Sequence, residues 1–426
     1  MARFIIHGKR RLSGNYVPSG NKNAVLPMLA ACVLTEEPVA LTNVPMIRDV
    51  QTMLEILTEL GVGVAVDGAA VTLCARGLRR SRLPAALCRQ ARSSLLFAGP
   101  MAARLGRATL SPPGGDVIGR RRVDTHFDGL RALGIEVSGS RDYVFRRRTL
   151  AGADILLEEA SVTATENVLM AATLAPGRTT IFNAACEPHV TDLARLLSTM
   201  GARIEGLGTN RLEVTGVERL HGAVHRVQPD HTEVGSFLLA AAVTGGELTV
   251  PGAPDESMAV IQKTFRKLGV LCDAREGVLR LPPRQGLRVA KDFGAAIPKI
   301  EDGPWPAFPT DLMSVAIVAA TQAHGSILFF EKMFESRMYF VDYLVAMGAG
   351  IVLCDPHRVL VSGPSRLHGT HMASPDIRAG MALVIAALCA KGPSVIDNAQ
   401  TIDRGYEHVD DKLRALGADI VREEST

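Results

Sequence analysis

The sequence predicts an α/β protein of two domains, assembled from six repeated units of about 70 residues each. Three observations carry that reading. A Leu-Gly or Met-Gly pair recurs at Leu60-Gly61, Leu133-Gly134, Met200-Gly201, Leu268-Gly269, Met347-Gly348 and Leu416-Gly417, and the glycines stand 67 to 79 residues apart. A helical pattern precedes most of these pairs and a short β-like run follows. An almost wholly apolar segment also recurs, once per unit and in the same order. At 426 residues the chain exceeds the roughly 250–300 residues that one hydrophobic core supports.

The amphipathic helices are read from Met53, Leu57 and Leu60; Leu193, Leu196, Leu197 and Met200; Ile261, Phe265 and Leu268; Phe340, Leu344 and Met347; and Val409, Leu413 and Leu416. Spacings of three, four and seven put these side chains on one face, and the Gly that follows suits the left-handed conformation that ends a helix. Strand pairs are expected next, for example 202–204 with 212–214, and 350–353 with 359–361 around Asp355-Pro356. The apolar segments are 24–34, 94–103, 168–174, 237–243, 315–321 and 381–389. A helix without a polar face must be surrounded by protein, so six central helices inside sheets are expected. A strand at 2–8 precedes the first unit and is free to complete the sixth. Three plus three units then give domains at 21–228 and at 1–20 plus 229–426, with a hinge and an active-site cleft between them.

Charge and cysteine usage narrow the function. Lys and Arg number 47 against 44 Asp and Glu, a net charge of +3, too balanced for a broad nucleic-acid surface. Apolar stretches are short and the first twelve residues carry no long apolar run, so neither a membrane span nor a secretory signal is expected, and a cytoplasmic location is. The seven cysteines form no Cys-x-x-Cys pair, and buried free thiols are the expectation. No metal, no cofactor and no obligate protein partner is expected.

Three polar segments stand out. Ser19-Gly20-Asn21-Lys22-Asn23 precedes an apolar helix and offers a cation and an amide beside a helix N-terminus, suited to an anion; an Asn cap with a solvated Lys is the alternative. The Gly-rich loop at about 111–124 contains Asp116 and runs into Arg120, Arg121 and Arg122. It can close over an anion with Asp116 available for proton transfer, although its Gly spacing fits neither the Walker loop nor the dinucleotide fingerprint. Trp305-Pro306-Ala307-Phe308-Pro309-Thr310-Asp311 is a rigid lead into a helix that fixes Asp311 as a cap or as a general base. Arg92, Arg337, Arg378 and Arg404 add cations that suit a substrate with separate carboxylate and phosphate groups.

These segments resemble the UDP-N-acetylglucosamine 1-carboxyvinyltransferase family, enolpyruvyl transferases related to 5-enolpyruvylshikimate 3-phosphate synthase. The likeness runs through Gly20-Asn21-Lys22-Asn23-Ala24-Val25-Leu26-Pro27, Gly114-Gly115-Asp116-Val117-Ile118-Gly119, Ala164-Thr165-Glu166-Asn167, 306–311, 402–407 and Lys412-Leu413-Arg414-Ala415-Leu416-Gly417. It implies a two-domain inside-out α/β barrel and a transfer of enolpyruvate from phosphoenolpyruvate to UDP-N-acetylglucosamine. By resemblance, Lys22, Asn23, Arg92, Arg121, Arg378 and Arg404 would hold phosphoenolpyruvate. Asn23, Arg92, Arg121, Arg122, Val123, Asp124, Ser161, Val162, Thr163, Asp311, Met333 and Arg337 would contact the nucleotide sugar. Asp311 would act as base, Asp116 as proton donor, and Lys22 as a further catalytic group.

The chain departs from the family at several positions. Asp116 replaces the usual Cys that fosfomycin attacks, so an active, fosfomycin-insensitive enzyme is expected. On the nucleotide side, Glu159 stands near a usual Lys, Thr163 replaces Gly, Arg122 and Thr125 replace Pro and Leu, and His231 replaces Arg. These changes keep open another uridine acceptor such as UMP, as in nucleoside-antibiotic synthesis. A catalytically silent nucleotide-sugar-binding paralogue is the alternative of another class. A shikimate-pathway enzyme and an RNA-end-processing relative fit less well.

Overall fold

Six helices rich in Ala, Val, Leu and Ile organise the protein, in a computed structural model that describes residues 2–115, 118–119 and 121–424. Two lobes result: an N-lobe of 20–115 and 121–228, and a C-lobe of 2–19, 118–119 and 229–424. Each has its own hydrophobic core.

In the N-lobe the central helices are Lys22–Ala31, the 3-10 turn Arg92–Phe97 continuing into Ala98–Leu105, and Val162–Ala172. In the C-lobe they are His231–Val243, Met313–Gln322 and Ile377–Cys389, the last buried at every residue. Within each lobe every central helix touches the other two, so no polar face is possible and the sheets lie outside. The structure starts the central helices two to six residues earlier than their apolar patterns. The added first turns carry polar residues such as Lys22, Thr165, Glu233 and Arg378, all buried, which hydropathy alone assigns to loops.

The sheets repeat one plan. In the fifth repeat, Gly325–Phe330 pairs in parallel with Lys299–Glu301 and antiparallel with Arg358–Gly363, which takes Ile351–Asp355 on its other side. In the sixth, Pro393–Asp397 pairs with His371–Ala373, and the N-terminal strand Ala2–His7 fills the place next to it before Asp419–Glu424. Two further closures follow the same logic: Ser13–Asn15 adds in parallel to Glu247–Pro251, and Ala223–Arg226 to Val39–Thr42. Chain from outside the repeat thus completes the first, fourth and sixth sheets. Among the described residues no helix is long and apolar enough to cross a membrane.

The outer helices end as their glycines require: Gly61, Gly134, Gly201, Gly269, Gly348 and Gly417 all have φ between +79° and +100°. Of the cysteines, Cys32, Cys88 and Cys389 are buried, Cys74, Cys186 and Cys272 half-buried and Cys354 exposed, and all seven are free thiols. Cys354 corrects the expectation of burial, because it lies on the outermost strand of its sheet, Ile351–Asp355.

Gly61 tests the glycine argument. Its φ is +95°, and a Cβ there would sit 2.7 Å from the Gly77 carbonyl oxygen. Gly61→Ala should lower stability by about 1–3 kcal/mol, read as a lower urea midpoint at unchanged slope. An unchanged midpoint would refute the cap.

Candidate functional site

The candidate residues gather at the starts of the central helices. Lys22 is the first residue of its helix, Arg92 opens the 3-10 turn before the next, and Val162 and Thr163 begin the third. His231 opens the fourth, Asp311 lies in the 3-10 turn Thr310–Leu312 before the fifth, and Arg378 is the second residue of the sixth.

In the N-lobe, the cap of Lys22–Ala31 is Asn21, whose Oδ1 accepts from the N–H groups of Asn23 at 2.8 Å and Ala24 at 3.1 Å. The Asn23 amide is therefore not the cap, and Lys22 is not a solvated cation: its Nζ meets Asp49 Oδ2 at 2.8 Å in a buried pair. Arg92 Nη2 donates to the carbonyl oxygens of Arg121 and Arg122 at 3.1 and 3.0 Å, fixing the far end of the Gly-rich loop. At the near end, the Gly114 N–H donates to Cys88 O at 3.0 Å, and a Cβ on Gly114 would fall 1.7 Å from Arg89 O, so only Gly fits. Asp116 lies outside the described residues.

The departures on the expected nucleotide side pair with local groups. Arg122 reaches Asp124 Oδ2 at 3.0 Å and Glu158 Oε2 at 2.8 Å, and Thr125 Oγ1 donates to Glu159 Oε1 at 3.4 Å. Val123 is half-buried at the start of the helix Asp124–Ala132. Ser161 precedes Val162–Ala172 without a side-chain cap bond, which leaves that helix start open.

Thr163 is the end of a relay. The Gly99 N–H donates to Asn167 Oδ1 at 2.7 Å, which fixes the amide so that Nδ2 faces Leu95 O at 2.8 Å and His126 Nδ1 at 3.1 Å. His126 Nδ1 must then accept, its proton sits on Nε2, and Nε2–H donates to Thr163 Oγ1 at 3.0 Å. Thr163 Oγ1 accepts in this contact and keeps its own hydroxyl proton to donate. Burial, and next the Arg92 charge, push His126 down to about 3, so the ring stays neutral.

The C-lobe brings three expected residues into one cluster. Arg337 Nη2 donates to Asp311 Oδ1 and Arg378 Nη2 to Asp311 Oδ2, both at 2.8 Å. Asp311 is thus an ion-pair centre rather than a helix cap. Burial pushes its carboxyl up, but the Arg378 and Arg337 guanidiniums more than offset this and hold it well below the usual carboxylate range. Both arginines are buried; Arg337 stacks on Phe334 at 5.1 Å and Arg378 on Tyr406 at 5.3 Å. Arg337 Nε and Nη1 and Arg378 Nη1 nevertheless have no hydrogen-bond partner among the described residues, a costly state that an anionic ligand would relieve. His231 lies 6.1 Å from the Trp305 ring, and burial lowers its pKa. Met333 is exposed, and Arg404 ends the 3-10 helix Ala399–Arg404.

Sequence reasoning missed Asp49, His126 and Glu331, whose Oε1 accepts the Met333 N–H at 3.1 Å, as partners of these groups. Each is joined to its site by the fold and carries no local motif.

The fold and these helix-start clusters define the class: enolpyruvyl transferases. Residues 6–413 match the family described as EPSP synthase (3-phosphoshikimate 1-carboxyvinyltransferase). The crystal structure of the enolpyruvyl transferase NikO from Streptomyces tendae shares the fold, with a TM-score of 0.88 and 25% identity over 100% of this chain and 99% of that one. The UDP-N-acetylglucosamine 1-carboxyvinyltransferase of Bradyrhizobium diazoefficiens is 53% identical over 423 residues, 99% of this chain and 98% of that protein. That of Treponema denticola is 49% identical over 421 residues, 99% of each. The chain belongs to the UDP-N-acetylglucosamine 1-carboxyvinyltransferase family.

The relay fixes a tautomer that NMR can read. His126 should stay uncharged down to about pH 3 as the Nε2–H form, with ring nitrogen shifts to match. Because the unfolded chain takes up that proton near pH 6.5 and the folded one does not, the residue's contribution to stability fades as pH falls below 6.5. Titration of the folded-state ring near 6.5 would break the relay.

Proposed function

We propose that the chain transfers the enolpyruvyl group of phosphoenolpyruvate to the 3-hydroxyl of UDP-N-acetylglucosamine and releases phosphate, the first committed step of peptidoglycan synthesis, in the cytoplasm. The carrying observation is the Asp311 carboxylate held between two buried arginines that retain unpaired N–H donors. It combines a base with an anion-binding pair, the two functions the transfer needs.

The chemistry is addition followed by elimination. A proton goes to the methylene carbon of phosphoenolpyruvate, the sugar 3-oxygen attacks the adjacent carbon, and phosphate leaves as the methyl group returns a proton. Asp311 takes the hydroxyl proton. Its basicity is low while both guanidiniums hold it, and it rises when a substrate anion draws Arg337 or Arg378 toward itself. Lys22, Asn23, Arg92, Arg121, Arg378 and Arg404 hold phosphoenolpyruvate, and their charge neutralises the departing phosphate. The nucleotide sugar is assigned to Asn23, Arg92, Arg121 to Asp124, Ser161 to Thr163, Asp311, Met333 and Arg337. The Thr163 hydroxyl, with a proton to donate beside a helix start that lacks a side-chain cap, suits the diphosphate. Asp116, in the place of the family Cys, donates the proton to the methylene carbon.

Phosphate release tests the reading directly. Turnover is expected with phosphoenolpyruvate and UDP-N-acetylglucosamine and not with UMP, and Asp311→Asn should lower kcat by about 10²–10⁴-fold. Turnover with UMP alone would overturn the acceptor, and an unimpaired Asn variant would remove Asp311 as base. Fosfomycin should leave the intact mass unchanged, while Asp116→Cys should gain one adduct. An adduct on the unaltered chain would contradict the expected insensitivity.

A further inference from the structure

Two buried carboxyl groups that the proposed reaction does not use lie just behind Asp311 and Arg337. Asp302 follows the strand Lys299–Glu301, and Glu331 follows the strand Gly325–Phe330, which pairs with it. Both residues are 0% exposed, so neither reaches bulk solvent. Glu331 Oε1 accepts from the N–H groups of Met333 and Phe334, each at 3.1 Å, and both of its carboxyl oxygens accept from Thr310 Oγ1 at 3.0 Å. One carboxyl group therefore grips the turn that leads to Arg337 and the residue that precedes Asp311.

The pairing of the two acids is the informative feature. Asp302 and Glu331 stand one step past the Glu301–Phe330 rung of the parallel pair, and the Asp302 carboxyl reaches the main chain of Lys332, so two buried acids are neighbours and both cannot readily be ionised. Asp302 Oδ1 accepts the Lys332 N–H at 2.6 Å, whereas its Oδ2 is buried without a conventional donor. A proton on Glu331 gives Oδ2 its partner. Among the described residues the Lys332 ammonium turns to Glu301 at 3.6 Å, and Arg337, whose charge works against the proton on Glu331, gives its Nη2 to Asp311. His357 faces the Glu331 main chain, with Nδ1 2.7 Å from its carbonyl oxygen.

We propose that Asp302 and Glu331 share one proton and act as a positioning pair that keeps Asp311 and Arg337 in register. The pair touches no substrate. It works through Thr310 on one side and the Met333–Phe334 turn on the other, and it rests on the role given to Asp311 above. Burial, then the Asp302 contact, raise the Glu331 pKa to about 9, so the proton is retained at neutral pH and lost on the alkaline side. The folded state then binds a proton that the unfolded chain releases near 4.5, and stability falls as pH rises from about 4.5 to 9.

Three variants of the full-length protein decide it, read by melting temperature and by kcat and KM across pH 6–10.5. Glu331→Gln supplies a permanent N–H donor to Asp302, and Asp302→Asn supplies one to Glu331. Both should keep kcat at pH 7.5 within about threefold of the parent. Both should also abolish the alkaline loss of kcat that the parent shows near pH 9, together with its fall in melting temperature below that pH. Glu331→Ala should lower kcat about 10-fold to 100-fold with little change in KM, as expected for misplaced groups. An unchanged alkaline limb in both conservative variants, or full kcat in a folded Ala variant, would overturn the pair. The melting curves need no acceptor, so they test the shared proton even if the substrate assignment fails; identical curves for parent and Gln variant would refute it on their own.

Discussion

The structure depends on one constraint: six helices buried along their length must satisfy the N–H groups of their first turns without water. Three do so with a side chain. Asn21, Asp230 and Asp376 each accept two first-turn N–H groups at 2.7 to 3.2 Å. The others begin without a side-chain cap, at Arg92, Val162 and Thr310. A helix start left open in this way carries partial positive charge and favours an anion. Burying the apolar helices for stability thus creates the polar positions that chemistry can use, and it explains why Lys22, Thr163, Asp311 and Arg378 all stand within a few residues of a helix start.

The repeat was legible because its signals are local. Leu-Gly or Met-Gly after an apolar face is read within one helix, and all six glycines adopt the expected left-handed φ. The first turns of the central helices were illegible, since residues such as Glu166 and Asn167 look like loop and are buried only because neighbouring helices enclose them. Ser13–Asn15 and Ala223–Arg226 escaped notice for a related reason: each is a short strand whose partner lies far along the chain. The site divides in the same way. Lys22 and Asp311 could be singled out from their flanking residues. Their partners Asp49 and Arg337 are 27 and 26 residues away, and no motif links them.

Two kinds of polar burial coexist, and they differ in what they fix. The chain from Gly99 through Asn167 and His126 to Thr163 begins at a backbone N–H that cannot rotate, so each later donor and acceptor is determined in turn. No charge is involved, and the arrangement is insensitive to ligand or to ordinary pH. The cluster of Asp311 with Arg337 and Arg378 is charged and incomplete, with three buried guanidinium nitrogens unpartnered among the described residues. Such a cluster has a low-energy alternative whenever an anion arrives, because the arginines then gain partners they lack.

That difference bears on how a carboxylate with so low a proton affinity could fill the role of base proposed for it. With two guanidiniums at 2.8 Å, Asp311 stays ionised but is a poor proton acceptor. Weakening one ion pair by a single pKa unit returns about 1.4 kcal/mol of basicity. On the roles proposed above, phosphate and carboxylate groups of the substrates would compete for the same arginines, and the proposed base would strengthen when they are bound. An isolated Asp311 would be a stronger base at all times and would also accept a proton from water. Under the proposed role the two arginines would make its basicity conditional on occupancy, which suits a reaction whose activated carbon must be met by the sugar oxygen before water reaches it.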